Sequence, residues 1–216
     1  MRDLVVYGAS GFGQQVMFWI EDANVVDRRF EILGFVDDDA ATHGERRTDH
    51  PVLGGRDWLV GRTEAGSLAV ALGLAGPAVK EHIVDRLADL GVEFPAIVHP
   101  SAVVSRHAVL GRGTLVGPGN VLSVNVRLDA FVTVNTACTL GHDARVGRYA
   151  TLLPGVNVSG RAVLGNGVSV GTGAAIVQGV EIGAGTTVGA GATVVGDLPP
   201  GCVAVGTPAR PREAPP

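Results

Sequence analysis

Lysine occurs once in the 216 residues, at Lys80, and aromatic residues make up only 5%. Lys and Arg total 17 against 21 Asp and Glu, a net charge of −4. Such a chain lacks the basic face of a nucleic-acid binder. No apolar run approaches the roughly 20 residues of a membrane span, and the N-terminus lacks a signal-peptide pattern. The two cysteines, Cys138 and Cys202, lie far apart and form no metal or redox spacing. These absences lead us to expect a reduced, cytoplasmic protein with no nucleic-acid partner, no membrane span and no metal.

Glycine, by contrast, is abundant at 32 residues, and the aromatics are unevenly placed. Eight of the ten precede residue 95; only Phe131 and Tyr149 follow. A layered domain wants aromatic bulk in its core, whereas a narrow solenoid does not. Two architectures are therefore expected, changing near residues 95–98.

The C-terminal half has a period of six. Every sixth residue from Val98 to Val194 is Val, Leu or Ile, seventeen in succession. Those types fill 59 of 216 positions, so chance gives this on the order of 10⁻¹⁰ for one register. The following position is often glycine, as at Gly111, Gly141, Gly165 and Gly183, and position i+4 is small or β-branched, as at Ala144, Ala162 and Thr186. Neither helix nor ordinary strand has this period; a parallel β-helix does. Three hexads make a coil of about 18 residues, and the segment makes about 5.7 coils spaced about 4.8 Å apart. Glycine is expected to permit the corner backbone. Caps are expected in the N-terminal domain and the proline-rich segment after Asp197.

These hexads resemble those of the hexapeptide-repeat acyltransferases, and the resemblance implies a left-handed β-helix. Gly206-Thr207-Pro208-Ala209-Arg210 is similar to the element with which many of these enzymes close the helix near coenzyme A.

The N-terminal half reads as a small Rossmann-like α/β unit with a parallel sheet. Leu4 to Tyr7 predicts a strand, followed by the glycine-rich turn Gly8 to Gly13 and a helix from Gln14 to about Asp22. Further strands are predicted at Glu31–Val36, Leu68–Leu72 and Glu93–Val98, with an amphipathic helix from Gly76 to Leu90. Strand, glycine-rich turn and helix form a phosphate-binding arrangement, although the spacing G-x-x-G-x-G is not the dinucleotide fingerprint. A tight turn without ligand gives the same pattern. Asp37 ends the second strand, where a carboxylate meets a ribose hydroxyl or simply lies in a solvated acidic loop. The expected boundaries are 1–96 for this domain, 97–210 for the β-helix and 211–216 for a tail.

Over essentially its whole length the chain resembles the nucleotide-sugar N-acetyltransferases of bacterial glycan synthesis, whose relatives include sialic acid O-acetyltransferase-like proteins. The markers are Tyr7 to Gly13, Phe35-Val36-Asp37-Asp38, Val70 to Gly73, His99-Pro100-Ser101-Ala102 and His142-Asp143. The resemblance implies that residues around Ser10, Gly11, Phe12, Asp37, Asp38 and Gly73 hold a nucleotide-sugar. A relative has His where this chain has Phe12. Asn135 matches the residue lining the acceptor amine, and Gly160, Thr172 and Ala190 match backbone contacts to acetyl-CoA. A second family His that touches acetyl-CoA is Thr151 here. A homotrimer with sites between neighbouring prisms is implied as well.

Acetyl transfer from a thioester needs a base and oxyanion donors but no metal. Of six histidines, His43 and His50 lie in a polar loop, His82 on a surface helix, and His99 and His107 open the prism. His142 follows Gly141 and precedes Asp143 in a charge-poor region. An imidazole oriented by a carboxylate is a general base near neutrality; an exposed corner histidine is the alternative reading of the residues. The resemblance assigns His142 and Asp143 to catalysis. Cys138 falls in the small inward row and reads as a buried hydrophobe. The expected activity is acetyl transfer from acetyl-CoA to the amine of a nucleotide-activated amino sugar. O-acetylation of a sialic acid or other glycan, and a non-catalytic nucleotide-sugar scaffold, are the alternatives.

Overall fold

The structure is a computed structural model and describes residues 1–63 and 67–212. It divides into two compact units. The first comprises Met1–Ala75 and Val79–Pro100, and the second comprises Gly76–Ala78 and the chain from Ser101 onward.

The first unit is built from β1 (Arg2–Tyr7), α1 (Gly11–Val26), β2 (Phe30–Val36), the short pair β3 (Arg46–Arg47) and β4 (His50–Pro51), α2 (Arg56–Thr63) and β5 (Leu68–Leu72). Helix α3 (Pro77–Arg86) follows. The sheet is parallel in the order β2-β1-β5. All of β5 and the last four residues of β1 are buried, which is why both read as continuous aliphatic runs without alternation. Tyr7 is in register with both Val36 and Leu72. Gly8, Asp37 and Gly73 therefore leave the sheet side by side at its carboxyl edge, where ligands of parallel sheets bind.

Helix α1 is longer than the expected Gln14–Asp22 at both ends. It buries Val16, Met17, Trp19, Ile20 and Ala23. Its last turn hides in the sequence because Val25 and Val26 are apolar yet exposed. Asn24 stops it: its side-chain oxygen accepts from Arg29 N and Phe30 N, each at 3.2 Å. Helix α3 ends at Arg86, short of Leu90; a 3₁₀ turn covers Ala88–Leu90, and Gly91 terminates it in the left-handed region. The strand expected over Glu93–Val98 reduces to a bridge from Glu93 to Ala69 and the pair Ile97–Val98. His99 is buried, with Nε2 2.9 Å from Asp22 Oδ2.

The second unit is a parallel β-helix of two-residue strands. One face stacks 103–104, 121–122, 139–140, 157–158, 175–176 and 193–194 in register, each step being 18 residues. The aliphatic row points inward and is almost fully buried from Val116 to Val194, while Val104 and Leu110 in the first coil are half-buried. After the last hexad, Val203–Val205 continues one stack in parallel and Arg210–Arg212 pairs with it antiparallel. Pro211 and Arg212, expected in a tail, belong to that strand; the remaining tail residues 213–216 lie outside the described residues.

Glycine serves the corners differently from the expectation. The glycine after each aliphatic residue is required by close approach of the next coil: a Cβ at Gly141 would lie 2.5 Å from Gly160 N, and one at Gly165 2.6 Å from Ala184 N. The positive-φ position comes two residues later. Gly155, Gly167 and Gly173 sit there, but so do Asn125, Phe131, Asp143, Tyr149 and Arg161, at φ between 60° and 62° for the last five. Asn and Asp tolerate this region best among side-chain-bearing residues.

Candidate active site

His142 and Asp143 occupy one corner, directly after the strand Thr139–Leu140. His142 Nδ1 lies 2.8 Å from Asp143 Oδ2, and Asn125 Nδ2 donates to Asp143 Oδ1 at 3.0 Å. Asn125 stands 18 residues earlier, one coil above, at the same left-handed corner position. The bond from His142, then the bond from Asn125, hold the Asp143 carboxyl below its ordinary range. An ionised carboxylate only accepts, so His142 Nδ1 donates to it, and in the neutral imidazole the lone pair then sits on Nε2. Both side chains are about half exposed.

Gly160 lies one coil below. A Cβ there would fall 2.6 Å from His142 Nε2 and 2.8 Å from Cε1, so the imidazole rests on the bare backbone of Gly160. Its neighbour Arg161 donates N–H to His142 O at 2.8 Å. Among the described residues the Gly160 N–H itself meets no acceptor, and the same holds for Thr172 and Ala190. Those three residues take the same position at their corners, so each offers a free backbone donor.

Thr172 and Ala190 belong to a different corner, one face of the prism away from His142. Gly191 N donates to Thr172 O at 2.8 Å, and a Cβ at Gly171 would lie 2.4 Å from Ala190 N, so the two are stacked. Asn135 precedes the same corner two coils above. It is 4% exposed, and its side-chain oxygen accepts from Thr136 N at 2.8 Å. Thr151 is 1% exposed, in the registered row Thr133–Thr151–Ser169. It makes a further interaction within the protein. Cys138 is fully buried, and burial pushes its thiol up.

In the first unit, Gly8, Gly13 and Gly73 interlock. A Cβ at Gly13 would lie 1.8 Å from Gly8 O, and one at Gly73 2.6 Å from Gly13 Cα. Gly11 meets nothing within 4 Å. Ser10 caps α1 without a side-chain hydrogen bond, and the first turn contains no acidic residue. A 16-residue helix thus opens with unneutralised N–H groups, a ready anion site. Phe12 packs edge-on against Trp19 at 5.9 Å. The Asp37 carboxylate accepts from Ala9 N at 2.7 Å and Asp39 N at 2.9 Å, bracing the turn.

Asp38 is engaged within the protein. Tyr7 OH donates to it at 2.8 Å and Arg86 pairs with it at 2.5 Å. Partial burial pushes its carboxyl up, but the bonds from Arg86 and Tyr7 prevail and hold it low. Burial first, then the bond to Asp38, pushes the Tyr7 phenol up. A recess of about 430 Å³ opens beside this pair, lined by His43, Arg56, Trp58 and Arg86 among others.

Sequence reasoning missed Arg86 and Asn125. It missed Asn120 too, which sits fully buried in the small inward row. Asn120 holds Cys138 N at 2.7 Å and donates to Asn135 O at 2.6 Å. For Asn125 a signal existed, since it stands one 18-residue period before Asp143. Among the described residues no cluster of His, Cys, Asp and Glu is placed to hold a metal ion, and no helix is long and apolar enough to cross a membrane.

Residues 3–87 match the family model of the PglD N-terminal domain. A GDP-perosamine N-acetyltransferase from Escherichia coli O157:H7 is 32% identical over 91 residues, which span 42% of this chain and 41% of that enzyme. Among solved structures, a histidine-to-asparagine mutant of perosamine N-acetyltransferase from Caulobacter crescentus, in complex with CoA and GDP-perosamine, superposes with a TM-score of 0.92. It is 27% identical, covering 99% of this chain and 98% of that one. The acetyltransferase domain of PglB from Neisseria gonorrhoeae, in complex with acetyl coenzyme A, gives 0.88 at 31% identity, covering 98% and 99%.

Proposed function

Because this chain belongs to the hexapeptide-repeat nucleotide-sugar N-acetyltransferases, which are acetyl-CoA-dependent enzymes, we propose that it moves the acetyl group of acetyl-CoA directly to the amine of a nucleotide-activated amino sugar, in glycan biosynthesis. The observation that carries the mechanism is the corner at which His142, oriented by Asp143, rests on Gly160. The acceptor nitrogen attacks the thioester carbon while His142 Nε2 takes an N–H proton. The carbonyl oxygen gains negative charge, for which the free Gly160 N–H is the proposed donor. The C–S bond then breaks, and the proton on His142 passes to the departing coenzyme A sulfur. Asp143 keeps Nδ1 protonated and stabilises the imidazolium formed midway.

Division of labour follows the two units. Residues 1 to about 96 hold the nucleotide-sugar, at the open helix terminus of Ser10 and Gly11, the turn braced by Asp37, and Gly73. Residues 97–210 hold acetyl-CoA, with Gly160, Thr172 and Ala190 as backbone donors and Asn135 near the acceptor amine.

The His142 corner and the Thr172–Ala190 corner lie apart on one chain, which supports a homotrimer in which the two corners come from neighbouring copies. Exposed Val163, Val177 and Val195 accompany sparse charge on the late coils, as at subunit interfaces. Sedimentation should give three times 22.1 kDa; a stable, active monomer would refute the shared site.

The substrate test is a panel of nucleotide-4-amino sugars beside their hydroxyl analogues and free amino sugars, with acetyl-CoA. Thiol release with only the nucleotide-linked amines is the expected pattern. Release with hydroxyl acceptors alone would overturn N-acetylation.

A further inference from the structure

One face of the β-helix presents Val109, Arg127, Arg145, Val163 and Glu181 at successive outward positions. Arg127 and Arg145 are direct partners across adjacent strands, about 4.8 Å apart at the backbone. Like charges set opposite one another destabilise a strand pair. A carboxylate between them would offset that cost. Among the described residues, however, neither guanidinium forms an ion pair.

Beside the two arginines lies a recess of about 230 Å³, lined by His107, Asn125, Arg127, Asp143 and Arg145. Its one carboxylate, Asp143, already accepts from His142 and Asn125. The recess is therefore rich in donors and poor in acceptors. Each guanidinium offers five N–H groups in a planar fork that matches phosphoryl oxygens. Two of them, rather than one, balance an incoming phosphate against the nearby Asp143 charge.

We propose that Arg127 and Arg145 form an anion subsite that grips phosphoryl oxygens of a co-substrate. The identity of that co-substrate rests on the transferase reading above, because nucleotide-sugars and coenzyme A both carry a diphosphate. The chemistry is the same for either source.

Arg127→Gln, Arg145→Gln and the double variant test the proposal in the full chain, at two ionic strengths. Both side chains are exposed, so folding should survive, as a melting curve will verify. The KM of one co-substrate should rise about tenfold per arginine. The other KM and kcat should hold. The salt dependence of the affected KM should fade in the double variant, and Arg→Lys should recover part of the loss. The KM that moves identifies the source of the phosphate. Unchanged values for both co-substrates would overturn the subsite, as would a loss confined to kcat. Calorimetric titration with inorganic pyrophosphate separates this idea from the transferase reading. The wild type should bind one more pyrophosphate per chain than the double variant, whether or not acetyl transfer is found. Equal stoichiometry and affinity would overturn the subsite even in an active transferase.

Discussion

Gly160→Ala adds a single methyl group under the imidazole, and the structure gives its consequence. The new carbon would lie 2.6 Å from His142 Nε2, 2.8 Å from Cε1 and 2.9 Å from Cδ2. Ordinary contact begins at about 3.5 Å, so the ring must retreat by roughly 1 Å. The backbone cannot take up this displacement cheaply, because Gly141 packs against Gly160 N from the coil above. The ring can move, being half exposed. In moving, it stretches or breaks the 2.8 Å bond to Asp143, since a side-chain contact beyond about 3.5 Å no longer counts as a hydrogen bond. Residue 160 lies outside the positive-φ positions, so alanine is tolerated there and keeps the N–H. Stability should change by no more than about 0.5 kcal/mol. Turnover should fall on the order of 100-fold, about 2.7 kcal/mol of barrier. Thiol-release kinetics and a thermal melt on the same preparation are the assay. A folded Gly160→Ala protein with wild-type kcat would show that the ring over Gly160 is not the working geometry.

Asp37→Ala removes the acceptor that braces Ala9 and Asp39, so the KM for the nucleotide-sugar should rise while that for acetyl-CoA stays nearly constant. Joint movement of both constants, measured by initial rates, would contradict the division between the units. Lys80 is buried, and burial pulls its ammonium down to about 7. The unfolded chain then binds more protons between about pH 7 and 10, so stability rises with pH across that window. The stability of Lys80→Met relative to the parent should change by about 1.4 kcal/mol per pH unit there, with the mutant's advantage largest at the acid end; denaturant melts showing a flat difference would refute it.

The hexad row made the β-helix legible because one aliphatic residue in six must fill a narrow interior whatever else the corner carries. The corner itself was harder to read. Glycine after the aliphatic residue reads in sequence as a backbone requirement, yet Gly141 and Gly165 are there to admit the next coil, a constraint set 18 residues away. The same distance hid Asn125 from any local reading of His142-Asp143. Asn120 was invisible for another reason: a buried amide in a row of small residues is satisfied only by carbonyls of the folded coil. In the first unit, buried β1 and β5 were plain as aliphatic runs. Helix α2 was not, since only Leu59 of its eight residues is buried. The ion pair between Asp38 and Arg86 spans 48 positions, and no motif in the sequence connects them.

The central claim is that His142 carries the proton in acetyl transfer. His142→Ala keeps the corner backbone and should leave melting behaviour and oligomeric state unchanged. Single-turnover acetylation of a nucleotide-amino sugar, followed by mass spectrometry, measures the step itself. The account predicts that the wild type converts the bound acceptor to a product heavier by one acetyl group, and that the variant does so roughly 10²–10⁴ times more slowly. Equal single-turnover rates for the two proteins would contradict it.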